Sequence, residues 1–192
     1  MTYPALALLE YTSIAAGIAA GDAMVKRAPV ATIQAGTVQP GHYLVLIAGD
    51  VASVGEALTA GRELDEAAVF DSLFLPNVHP DVVSGLTGGR EPGAGEALGV
   101  IETRSVAAAI RAADAGVKGA EVELVRLRLA DGLGGKGLTL FAGLVSDVEA
   151  AVAIAAAEAG ALLLRELVVA QLHEEMWPNV LNTGRFGTHF GW

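Results

Sequence analysis

The chain has 192 residues, 53% of them apolar but only 5% aromatic, with a formal net charge of −10. That acidity argues against a nucleic-acid partner, because affinity for a phosphate backbone comes from Lys and Arg displacing counterions. The absence of cysteine excludes a disulfide framework, a thiolate zinc site and a cysteine-held iron–sulfur cluster in this chain alone, and is simplest in the cytosol.

Residues 6–11 read as a strand, and Ser13 is placed to cap a helix that runs to about Arg27. Ile14, Ile18 and Val25 form one stripe at helical period, and Pro29 follows the end. Residues 30–34 and 43–48 look like strands joined by a turn over 37–42. Asp50 then caps a second helix, 51–64, with Val54 and Leu58 inward, before a last strand at 69–75. The order is β-α-β-β-α-β, a ferredoxin-like α+β arrangement with helices on one face of an antiparallel sheet. A run rich in Gly and Pro, residues 85–95, separates this unit from a second. There a strand at 97–102, a helix from Ser105, strands at 122–129 and 138–142, a helix at 145–159 and a strand at 162–169 repeat the order. The expected boundaries are a first domain 1–86, a linker 87–96, a second domain 97–181 and an aperiodic tail 182–192.

The repetition extends to the residues. Over residues 5–30 and 97–122, fourteen of 26 positions are identical, including Glu10/Glu102, Ser13/Ser105, Ile18/Ile110, Asp22/Asp114 and Lys26/Lys118, all 92 apart. From Gly49/Gly143 to His79/His173 the separation is 94, so the second half has gained two residues in between. Units of roughly 90 residues are small domains with limited cores, expected to pack as pseudo-symmetric partners. No membrane span is expected, since the most apolar segment, 150–170, is cut by Glu158, Arg165 and Glu166, and no basic leader precedes the first apolar run.

The duplication, the helix ends Asp-Ala-Met-Val-Lys (22–26) and Asp-Ala-Gly-Val-Lys (114–118), and a glycine turn, strand and G-x-V helix start in each half are similar to the tandem-domain shell proteins of bacterial microcompartments, in unpermuted form. The resemblance implies a homotrimer whose six domains imitate a hexamer, a tile in a shell layer shared with other shell proteins, hexamers and pentamers. It also implies a pore on the threefold axis through which small metabolites pass; whether two trimers stack stays open. By the same resemblance Val38, Gln39, Pro40, Gly41 and His42 form one pore loop, and Asp131, Gly132, Leu133, Gly134, Gly135 and Lys136 the other. Lys136 is expected to reach the opening, and the glycine loop to be the moving gate. Lys26 and Lys118 would lie on the tile edge, near Asn77, His79, Gln171 and His173; the arginine the family carries after its final strand is not found there.

Each assignment has a plainer alternative. Asp22 and Asp114 stand four residues before the lysines, so an ordinary i, i+4 ion pair also accounts for them. Residues 132–137 satisfy G-x-G-x-x-G, but the dinucleotide fingerprint opens a helix, whereas here a strand follows. His42, His79, His173 and His189 lack ligand spacing, so no metal site is expected, and no cofactor. His42 is placed to titrate beside the pore turn, or to be a plain loop histidine. No Ser–His–acid set or paired loop carboxylates suggest catalysis. The rival to a shell tile is a trimeric ferredoxin-like regulatory protein that senses a small molecule between subunits.

Overall fold

The computed structural model describes residues 4–87, 93 and 95–181. The first half runs β1 (Ala5–Tyr11), α1 (Ile14–Arg27), β2 (Thr32–Val38), β3 (His42–Gly49), α2 (Val51–Leu64), β4 (Val69–Leu75) and α3 (Pro80–Thr87). The second runs β5 (Ala97–Thr103), α4 (Val106–Gly119), β6 (Glu123–Leu129), β7 (Gly137–Gly143), α5 (Val145–Ala159), β8 (Leu163–Val169) and α6 (Trp177–Leu181). Each half forms one four-stranded antiparallel sheet, ordered β2-β3-β1-β4 and β6-β7-β5-β8. The repeat is therefore structural as well as sequential, down to a register shift at the same place in both central strands, Glu10/Tyr11 and Glu102/Thr103.

The caps are where the sequence puts them. Ser13, Asp50 and Ser105 accept hydrogen bonds from the backbone N–H groups of Ala16, Ser53 and Ala108, satisfying donors that each first turn leaves free. In the first half α1 and α2 cover the face of the sheet that carries Ala5, Ala7, Leu9, Tyr11, Val45 and Ile47. Tyr11 is fully buried there, and its hydroxyl donates to Gly61 O at 2.8 Å. Burial, with Asp65 nearby, pushes its pKa up to about 12. The second half solves the same packing with exchanged volumes. Met24 and Ile47 share the core cluster of the first, and at the equivalent places Gly116 receives the ring of Phe141 so closely that a Cβ there would stand 2.4 Å from Cζ.

Three expectations need correction. β2 extends to Val38 and β3 begins at His42, because the hairpin pairs Thr37 with Tyr43 and Val38 with His42, leaving residues 39–41 as the turn. The run taken as linker begins inside α3: Gly85 is helical because Leu124 and Leu127 of the second half pack against it, and a bulkier residue would crowd them. The helices are not all on one face. α6 lies across the opposite face of the second sheet, where Trp177 joins Leu98, Leu140 and Ala142.

The helical stripe on α1 faces outward. Ile14, Ile18 and Val25 are 41%, 56% and 42% exposed, while the small residues Gly17, Ala20 and Gly21, with Met24, face the core. Their counterparts on α4, Val106, Ile110 and Val117, are 0%, 0% and 8% exposed, because α4 is packed against β4 and β1 of the first half.

Candidate pore loops and domain joint

The joint between the halves is made of α4 on one side and β1, β4 and the turn after β4 on the other. Glu10 is central to it. This carboxylate sits fully buried in an otherwise apolar strand, where it accepts the Val106 N–H at 2.8 Å and meets His42 Nδ1 at 2.9 Å. Burial raises its pKa above the ordinary value, against the opposing pull of His42 and the Val106 N–H. Along the same joint Asp71 accepts from the Ser105 hydroxyl, and Arg111 donates to Ser72 O at 2.9 Å. The His79 N–H donates to Asp114 at 2.8 Å, and Lys118 donates to both Asn77 O and Asp114. The apolar filling is continuous, with Leu6, Leu8, Leu73, Val78 and Val82 in one cluster with Val106, Ile110 and Leu124.

The contact is head-to-tail: a β4-side surface of one unit meets an α4-side surface of its repeat. Such an interface leaves its two complementary halves unused at the ends of the pair. Here they are α1, with its exposed stripe, and β8, where Leu167 is 49% exposed although its counterpart Leu73 is 2% exposed.

The two loops assigned to a pore lie against each other. Gln39 N–H donates to Asp131 Oδ1 at 3.1 Å, and Gly132 N–H donates to Gln39 Oε1 at 3.0 Å. Pro40 seats on Gly135, where a Cβ would come within 2.5 Å of Pro40 Cδ. The hairpins also show where the second half gained its two residues: 39–41 separate Val38 from His42, whereas 131–135 separate Ala130 from Lys136, whose O accepts the Ala130 N–H. Gly132, Gly134 and Gly135 hold φ at 74°, 64° and 91°, a region side chains disfavour, which explains a glycine density beyond that of a plain turn. β7 follows directly, so the G-x-G-x-x-G run opens a strand and has no helix N-terminus to offer a pyrophosphate.

Lys136 does not stand free. Its Nζ is 3.0 Å from Glu102, the repeat equivalent of Glu10, just as His42, the equivalent of Lys136, meets Glu10. Each loop thus ends on a basic side chain tied to the carboxylate of the central strand. His42 is mostly buried, its ring 4.9 Å from that of Phe70. Sequence reasoning used Glu10 and Glu102 only to fix the repeat register; a carboxylate inside an apolar strand in both halves was the signal of their structural role.

The family model for the BMC domain matches residues 5–78 and, a second time, residues 97–172. The chain belongs to the bacterial microcompartment shell-protein family. It is 44% identical over 179 residues to the bacterial microcompartment shell protein PduT of Citrobacter freundii, covering 92% of this chain and 97% of that one. A microcompartment protein from Desulfitobacterium hafniense DCB, known from its crystal structure, superposes with a TM-score of 0.78 at 40% identity, over 92% of this chain and 99% of that one. A fused permuted hexameric shell protein from the RMM microcompartment shares the fold alone, at 20% identity and a TM-score of 0.57 over 81% and 83% of the two chains. The relatives are structural shell proteins rather than enzymes.

In this shell protein the residues assigned to the tile edge divide into two groups. Lys118, Asn77 and His79 are brought together at the joint inside the chain. Lys26 pairs with Asp22 on an exposed helix end, and Gln171 and His173 lie in the turn after β8. Both lysines make the i, i+4 ion pair. Among the described residues no group of His, Cys, Asp or Glu is arranged to hold a metal, and no helix is long and apolar enough to cross a membrane. His189 lies outside the described residues.

Proposed function

We infer that three copies of this chain close into a ring of six domains, a pseudohexameric tile of the microcompartment shell, with a central pore through which small metabolites pass. The observation that carries this reading is the head-to-tail joint. The surface that α4 buries inside the chain is exposed on α1, and the surface that β4 buries is exposed on β8. Docking α1 of one copy on β8 of the next repeats a contact the chain already makes. Glu102 would then accept the Ile14 N–H of a neighbour as Glu10 accepts that of Val106, and Lys26 and Asp22 would meet the turn at Gln171 and His173 as Lys118 and Asp114 meet Asn77 and His79. A head-to-tail contact of this kind gives a closed ring when its rotation closes.

The loops 38–42 and 131–136 would alternate around the axis. Because Lys136 is neutralised by Glu102, the fixed charge facing the opening falls to Asp131, which is exposed beside the Gln39 N–H it accepts. The rims of these joints, where Lys26 and Lys118 keep part of their side chains exposed, would form the tile edges that join the ring to other shell proteins. Electron microscopy of the concentrated protein, alone and with a hexameric shell protein, tests the reading. Tiled layers or shells are expected, whereas discrete particles whose stability rises with one metabolite would favour a sensor.

A further inference from the structure

The face of the first sheet opposite α1 and α2 carries an open groove of about 640 Å³. Its walls are Leu6, Leu46 and Ala48 of the sheet and Leu86 of α3. The equivalent place on the second sheet is filled: Trp177 packs on Leu98, Leu140 and Ala142, the counterparts of Leu6, Leu46 and Ala48. The cause is a set of three paired differences. Val83 lines the groove where the second half has Trp177, and Gln34 and Gly36, opposite Leu46 and Leu44, stand where it has Arg126 and Arg128, opposite Leu140 and Leu138. A tryptophan and two arginines are thus replaced by small or neutral residues around one apolar floor. Left bare, an open groove with an apolar floor keeps part of that surface in water rather than in packing contact.

We propose that the groove is the seat of the chain's own C-terminal segment, residues 182–192, from the same or an adjoining copy. That segment lies outside the described residues, and its sequence supplies the side-chain types the groove lacks: Arg185, Phe186, Phe190 and Trp192, with glycines between them. It leaves from the end of α6, which lies on the corresponding face of the second sheet. Extended, it reaches roughly 36 Å at about 3.3 Å per residue. A domain of this size is roughly 25–30 Å across, so a neighbouring first domain is within range. The docking is independent of the pore and of how many copies close the ring.

Hydrogen exchange of the assembled full-length protein, followed by mass spectrometry, tests this. The comparison is with two variants that fill the groove with residues the other half already carries, Val83→Trp and Gln34→Arg. The segment's amides are expected to exchange at least tenfold more slowly in the wild type than in either folded variant. Amides of the segment exchanging at free-chain rates in the wild type would overturn the proposal. So would slow exchange that neither variant changes, since the segment would then be docked elsewhere.

Discussion

Replacing Ile18 by aspartate separates a chain that ends at its own surface from one that needs a neighbour. In a single chain Ile18 is 56% exposed, so the substitution should cost the fold only about 1 kcal/mol, for the part of the side chain already buried and the like charge of Asp22 four residues on. Its counterpart Ile110 is fully buried at the joint inside the chain, and the same environment awaits Ile18 at a joint between copies. Full burial of an isoleucine stabilises by about 1.5–3 kcal/mol, of which roughly half is still available here. Aspartate loses that and adds the desolvation of an unpaired carboxylate, several kcal/mol per ion. Taking about 3 kcal/mol at each of three joints, the ring loses about 9 kcal/mol, between six and seven decades of association constant. Sedimentation velocity and native mass spectrometry at micromolar concentration should show a wild-type trimer and an Ile18→Asp monomer with unchanged circular dichroism. Ile110→Asp, by contrast, should destabilise the fold itself. A trimer that survives Ile18→Asp would refute the assignment of α1 to the joint.

Two further outcomes follow from single sites. Glu10 binds its proton more tightly folded than unfolded, so its contribution makes stability fall as pH rises from the unfolded value of 4.5 through the higher folded one; Glu10→Gln should remove that component from denaturation midpoints measured between pH 4.5 and 7, and identical pH profiles would contradict it. Gly135→Ala meets both a φ of 91° and Pro40 Cδ, so the two loops should part, costing about 1–3 kcal/mol and speeding exchange of the Gln39 and Gly132 amides.

The duplicated order, the capping residues and the loop positions were legible because they rest on local chemistry that recurs at fixed spacing. The stripe on α1 shows where such reasoning stops. Its period is helical and its residues are apolar, yet what covers Ile110 is another domain, and nothing within residues 14–27 distinguishes a core-facing stripe from one that waits for a neighbour. Gly85 reads as linker from composition, but two leucines from the other half make the helix α3 worthwhile there. Lys136 reads as free because its partner, Glu102, is 34 residues away and becomes adjacent only through the pairing of β5 with β7. Trp177 gave no periodic signal at all, and its place is set by the sheet face it covers.

The central claim is that copies join as the two halves join. In the chain, the Ser105 hydroxyl meets the Asp71 carboxylate across the joint, and the repeat equivalents of these residues are Ser13 and Arg165, on the two unused surfaces. Because the chain has no cysteine, the double variant Ser13→Cys with Arg165→Cys offers a single oxidation site per joint. Oxidised and run under denaturing, non-reducing conditions, it should accumulate as a covalent species of three chains that goes no further. Recovery of uncrosslinked chains, of dimers alone or of an open-ended ladder would contradict a closed head-to-tail ring.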